Sequence, residues 1–186
     1  MSATQNEQEP IVLDGAEFGT IEFNWSGDRY EHRWTFPNSD CELKSIESTS
    51  DENWPLSPPL QQIHSQSFAD GREVIFGVGM AGRGHWSASF TLVPELRCWI
   101  VELACRCAAE TPSLSSCYAF PTTCQPFAAD TDLELEQPLD SAQAVFIEAI
   151  APGTVMSVQD SHLRFSPHPS SLNAETVQWA FRVRIA

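Results

Sequence analysis

The chain has almost no lysine. Lys44 is the only one, and the nine scattered arginines leave a net charge of −15 over 186 residues. Nucleic acids and anionic membrane surfaces are held by clustered Lys and Arg, and Arg182 with Arg184 is the nearest approach to a cluster, so both partner classes are excluded. The charge itself reads as solubility and self-repulsion, with salt adaptation or attraction of cations or a basic partner as the alternative. Long apolar runs are missing as well. Trp99-Ile100-Val101 is typical of the longest, far below the roughly 18 residues of a membrane span. Met1 to Pro10 carries neither the basic nor the apolar segment of a signal peptide, and Glu7 and Glu9 are its only charged side chains. This predicts a disordered leader over residues 1–10 and one domain over residues 11–186, in a cytoplasmic protein.

Catalytic signatures are equally scarce. Neither G-x-S-x-G nor H-E-x-x-H occurs, which removes the local marks of serine and zinc hydrolases. His32, His64, His85, His162 and His168 are dispersed, and no two of the 25 acidic residues stand out as a glycosidase pair. His32 follows Tyr30 on an aromatic face, the setting of a hydrogen-bonded core histidine rather than a ligand or base.

What the chain does have is aromatic residues in strand-like patterns. Six Trp and eleven Phe suit strands and a sandwich or barrel core. A chain of this length buries roughly 70% of its unfolded surface, so neither disulfides nor a metal are needed to build that core. Ile21, Phe23 and Trp25 alternate with polar residues, Ser26-Gly27-Asp28 turns the chain, and Tyr30, His32, Trp34 and Phe36 alternate on the return, which is a hairpin. On its polar face Arg33 can pair across with Glu22 or the neighbours of Glu31. Asn53 to Pro59, with three prolines, is a loop. Residues 41–50 and 60–68 fit neither period, which leaves room for a short helix. Arg97 to Cys107 is apolar on both faces and reads as a central strand. Residues 108–131 have no period and read as a long loop.

Further strands are expected at Ala142–Ile150, at Val155–Phe165 with a bulge or turn at Gln159-Asp160-Ser161, and at Val177–Ile185, the clearest of all. Eight to ten such strands predict an all-β protein. The arrangement expected is a single antiparallel β-sandwich, jelly-roll-like, or alternatively a distorted β-barrel, with at most one or two short helices.

Four features carry candidate chemistry. Gly77-Val78-Gly79-Met80-Ala81-Gly82 spells G-x-G-x-x-G after the apolar run Val74-Ile75-Phe76. A dinucleotide site needs a helix to open at the last glycine. Here Trp86, Ala88, Phe90 and Leu92 alternate with His85, Ser87, Ser89 and Thr91, so a strand follows instead and the glycines sit in a hairpin. They either bend the sheet and make room for a neighbour, or hold Arg83 and His85 toward an anion.

Five of the six cysteines, Cys98, Cys105, Cys107, Cys117 and Cys124, fall within 27 residues. Cys105 and Cys107 share a strand face, and with Cys117 and Cys124 they are a candidate zinc site. The spacing is not that of common zinc modules, so reduced core thiols and a disulfide are the competing readings.

Asp130, Asp132, Glu134 and Glu136 share one face if they form a strand. Their spacing of roughly 6.8 Å makes that face a solvated one that also blocks edge pairing. Asp130 and Asp132 remain a calcium candidate with help from another loop. Among the tryptophans, Trp25, Trp34, Trp86, Trp99 and Trp179 are in register with apolar neighbours and belong to the core, whereas Trp54 beside Pro55 is expected to be exposed and in use.

The leading functional expectation is a non-catalytic, soluble binding or interaction domain for a protein or small-molecule partner, with no cofactor. Its site would comprise the glycine hairpin (Gly79, Gly82, Arg83 and His85), Trp54 and the loop around Cys117 to Cys124. The alternative is a small β-barrel or sandwich enzyme that depends on zinc or calcium.

Overall fold

The period-two segments assemble into two antiparallel sheets packed face to face. The computed structural model describes residues 9–47, 53–107, 113–129, 132–136, 144–172 and 175–185, and fifteen strands lie among them. One sheet has seven strands, in the neighbour order β1 (Ile11–Asp14), β2 (Thr20–Trp25), β3 (Tyr30–Thr35), β4 (Glu42–Ser45), β9 (Ser116–Ala119), β14 (His162–Pro167) and β13 (Thr154–Gln159). The other has eight, in the order β10 (Gln125–Ala129), β11 (Asp132–Glu136), β12 (Val145–Ala149), β15 (Thr176–Ile185), β8 (Cys98–Cys107), β7 (Gly84–Val93), β6 (Glu73–Ala81) and β5 (Gln62–Ser67). Most successive strands are neighbours in one sheet, and the chain changes sheet after β4, β8, β9, β12 and β14. Both sheets keep two free ends, so the fold is a sandwich and the barrel alternative falls. Three one-turn 3-10 segments, Ala16–Phe18, Pro94–Leu96 and Pro169–Ser171, are the helical elements among the described residues, one more than expected. The expected leader lies outside the described residues up to position 8, and β1 begins at Ile11.

Alternation explains the core. Ile21 and Phe23 of β2 face His32 and Trp34 of β3 across the hairpin, and all four are buried. On the outer side Arg33 lies 4.0 Å from Glu22 and 3.7 Å from Glu42. Between the sheets Phe165 and Phe181 stack at 3.9 Å, and Tyr118 meets Phe181 edge-on at 5.7 Å. Trp34, Trp86, Trp99 and Trp179 are buried as expected, whereas Trp25 is half-buried against Tyr30.

Several segments differ from expectation for local reasons. Among the described residues, 41–47 and 60–68 hold strands β4 and β5 rather than a helix. β4 has four residues and turns a serine, Ser45, inward beside Leu43, which spoils the apolar period. β5 is an edge strand exposed at most positions, so it shows little apolar face. The segment expected to be one long loop contains β9 and β10. By contrast, the turn expected at Gln159-Asp160-Ser161 is present: Asp160 and Ser161, at φ 48° and 63°, divide 155–165 into β13 and β14. β11 pairs on both sides, with β10 and β12, so its acidic residues do not guard a sheet edge. Asp130 lies outside the described residues.

Cys41, just before β4, forms a disulfide with Cys124, just before β10, across a sequence separation of 83. It ties the seven-stranded sheet to the end strand of the eight-stranded one.

Candidate functional site

The glycine run forms a hairpin, as its neighbours require. β6 pairs with β7 from Glu73↔Leu92 to Ala81↔Gly84, leaving Gly82 and Arg83 as a two-residue turn. Gly82 has φ +54°, the left-handed first position at which tight hairpins favour glycine. The other glycines serve a different purpose. Gly77 and Gly79 face inward, where residues 58–61 cross β6, and the Gln61 N–H donates to the Val78 carbonyl at 2.9 Å. A Cβ on Gly79 would lie 1.6 Å from the Pro59 carbonyl oxygen, and one on Gly82 would lie 2.7 Å from that of Asn53. One on Gly84 would lie 3.1 Å from the Cys105 sulfur and 3.2 Å from the Trp54 ring. The run is thus a seat for the chain's own segment 53–60. Gly79 is covered by that segment, Gly82 stays exposed with Asn53 close against it, and Trp54 is half-buried against the core rather than exposed.

The segment that packs on the glycine hairpin and carries Trp54 is also hydrogen-bonded to the Cys117 strand. Ser57 Oγ donates to the Cys117 carbonyl and accepts from the Cys117 N–H, both at 3.1 Å, and Ser115 Oγ donates to the Leu56 carbonyl at 2.8 Å. This junction is internal packing of the loop onto both sheets.

The four cysteines expected to share a zinc ion are separated. Cys105 and Cys107 point inward from β8, with sulfurs 3.2 Å apart. Cys117 belongs to β9 in the other sheet. Its neighbours Ser116 and Tyr118 face the core, so Cys117 faces outward, and its thiol donates to Ser115 Oγ at 3.7 Å. Cys124 is consumed by the disulfide, and a disulfide sulfur is not a thiolate ligand. Among the described residues no three His, Cys, Asp or Glu side chains are placed to hold a metal.

Arg83 and His85 have a different setting. Both are exposed at the end of the eight-stranded sheet, where His85 is paired with Arg106 and Gly84 with Cys107 across the β7–β8 ladder. Arg83, His85, Arg106, Cys107 and Glu175 bound a cleft of about 420 Å³. Arg106 Nη2 donates to Glu175 Oε1 at 2.8 Å, and the Cys107 N–H donates to the Glu175 carbonyl at 3.1 Å. Arg83 makes no ion pair among the described residues. Among the described residues the cleft therefore carries two guanidinium groups against one carboxylate, in a chain of net charge −15. The Arg106–Glu175 pair is 69% and 75% exposed, so water weakens it and it opens at little cost to a competing anion.

Arg106 and Glu175 were not singled out from the sequence. The signal for Arg106 existed, since inward-facing Cys105 and Cys107 force it outward, but Glu175 reaches the cleft only through the β15–β8 pairing. A second concave surface, of about 330 Å³, lies on the outer face of the same sheet between Phe76, Ser89, Glu102, Ala104 and Ala180. None of the described residues that line it is cationic.

A buried polar group lies inside the sandwich. His32 Nε2 is 3.1 Å from the Tyr118 hydroxyl, and its Nδ1 has no partner among the described residues. Glu47 follows β4 half-buried, and the Ser45 hydroxyl and the Arg29 charge only partly offset the desolvation of its carboxylate. Burial holds His32 down to about 3 and pushes Glu47 up to about 7. Among the described residues no helix is long and apolar enough to cross a membrane. No protein-family model matches the chain, and no curated protein matches it in sequence.

Proposed function

We propose that the protein is a non-catalytic binding domain that takes an anionic ligand in the cleft at the end of β6, β7 and β8. The observation that carries this reading is Arg83, without an ion pair among the described residues, beside Arg106 and His85, a local excess of positive charge among those residues in a strongly acidic chain. Guanidinium groups recognise carboxylates and phosphates through charge-assisted, often bidentate hydrogen bonds. Exposed Arg83 stands on a paired hairpin and Arg106 on a central strand, so binding has to order their side chains but not their backbone. The surrounding negative charge repels anions at long range, so binding is short-ranged and selective for ligands that reach both arginines.

Titration calorimetry at low salt with citrate and inorganic phosphate tests the proposal. Binding is expected for the intact protein, with roughly tenfold or greater weakening on Arg83→Ala or Arg106→Ala. Unchanged affinity in both variants would remove the cleft from the account.

The cytoplasmic expectation is replaced in this proposal by an oxidising compartment, because the Cys41–Cys124 disulfide is chemistry that persists there. Maleimide labelling of denatured protein from its native cell checks this. Cys41 and Cys124 should label only after reduction, and immediate labelling of both would restore the cytoplasm.

A further inference from the structure

Cys105 and Cys107 lie on the same inward face of β8, with sulfurs 3.2 Å apart, and are both reduced. Their environment is asymmetric. Cys105 is fully buried, whereas Cys107 is 8% exposed, ends the strand and lines the cationic cleft. We propose that they form a reversible dithiol, oxidised through that cleft by an anionic low-molecular-weight disulfide. The proposal rests on the cleft as an anion site and names its ligand class.

Geometry favours a bond that forms and is easily undone. Residues two apart on a strand have Cα atoms separated by roughly 6.6–6.8 Å, the upper end of what a disulfide spans. Closure therefore strains the strand end, and strained disulfides are the readily reduced ones. Cys107 is the last residue of β8 and can absorb the shift. Room for the pair is made by Gly84, opposite Cys107, since a Cβ there would come within 3.1 Å of the Cys105 sulfur. No other thiol competes. Cys98 sits seven residues away along the strand, about 23 Å, and Cys117 faces outward from the other sheet.

Chemically, Cys107 as thiolate attacks one sulfur of R–S–S–R. The reagent's S–S bond breaks, one thiolate RS⁻ leaves and takes up the proton lost by Cys107, and Cys107–S–S–R remains. Cys105 then gives up its proton and attacks the Cys107 sulfur, forming the Cys105–Cys107 bond and expelling the second RS⁻, which takes that proton. Two protein thiols are oxidised and one small disulfide is reduced to two thiols. Burial, with the hydrogen bond to Cys107, pushes the Cys105 thiol up, so the more accessible Cys107 is the one that attacks the reagent first.

The test exposes the full chain to glutathione disulfide, which is anionic, or to bis(2-hydroxyethyl) disulfide, which is neutral, and follows intact mass and peptide maps. The wild type should lose two hydrogen atoms, located to the Cys105–Cys107 peptide. Cys105→Ser should stop at a glutathione adduct on Cys107, with Cys105→Ala as a second variant should the serine perturb folding. Arg83→Ala should slow the reaction with glutathione disulfide roughly tenfold and leave the neutral reagent unaffected. No closure with either reagent, while citrate still binds the cleft, would overturn the dithiol and leave the anion site standing. Closure at rates that ignore both reagent charge and Arg83 would overturn the anionic ligand class. Modification at Cys98 or Cys117 instead would overturn the assignment of the pair.

Discussion

His32 stands among Phe23, Trp34, Phe90 and Tyr118 in the core, and the carboxyl of half-buried Glu47 is desolvated, with the Ser45 hydroxyl and Arg29 only partly offsetting that cost to its charge. Their ionisations act on stability in opposite directions. His32 goes from an ordinary value of 6.5 to about 3 on folding, so the unfolded chain binds its proton first and stability is lost as pH falls from 6.5 toward 3. Glu47 goes from 4.5 to about 7, so the folded chain holds its proton longer and stability is lost as pH rises from 4.5 toward 7. Between about 4.5 and 6.5 the two slopes cancel, giving a plateau that falls away on both sides. Glu47→Gln should abolish the loss toward pH 7 and stabilise the protein above it by on the order of 1–3 kcal/mol. Urea midpoints measured from pH 4 to 8 check this, and a variant whose profile runs parallel to the wild type would contradict it. His32 was legible as a core histidine because Tyr30, Trp34 and Phe36 set its register. Glu47 was not, because its segment has no apolar period and its burial comes from packing across the sandwich.

At the scale of elements, β6 shows what a glycine-rich strand is for. Gly79 is where the backbone of residues 58–61 passes over the strand, so Gly79→Ala places a methyl group on the Pro59 carbonyl and should cost about 3 kcal/mol or more. Gly71→Ala is the matching control. Its φ of +85° is strained for alanine, but no atom lies within 4 Å of the new Cβ, so the cost should be only about 1 kcal/mol. Equal losses in thermal or urea unfolding would mean that backbone conformation, not close approach, explains the run. The hairpin itself was legible from the alternation of Trp86 to Leu92. The reason for its glycines was not, because the crossing segment comes from residues 53–61 and no local pattern records what lies on a strand. β15 was clear for the opposite reason: one face is core and the other wet, so its period carries the whole message. β4 and β9, with four residues each and serines turned inward, are too short to show any.

At the scale of the whole molecule, the disulfide and the cleft define how the two sheets are held and what they offer. Closing a loop of 83 residues lowers the entropy of the unfolded chain by an amount worth about 4–5 kcal/mol in the chain-entropy account. Cys41→Ser should therefore destabilise by about 2–5 kcal/mol, read as a lower urea midpoint, and no change would detach the bridge from the folded state's stability. The pairing was hidden from the sequence. The conspicuous cluster drew Cys124 toward Cys105, Cys107 and Cys117, and connectivity cannot be read from spacing. Arg83 and His85 were legible as outward-facing residues of the hairpin, yet Arg106 and Glu175 join them only through the register of β7, β8 and β15.

The central claim is that this cleft binds anions, and chemical-shift mapping of the amide resonances during a low-salt citrate titration tests it most directly. Shifts concentrated at Gly82 to His85, Arg106, Cys107 and Glu175, and lost in Arg83→Ala, are the predicted result. Saturating shifts elsewhere, above all on the outer face around Phe76, Ser89 and Ala104, or no shifts at all, would contradict it.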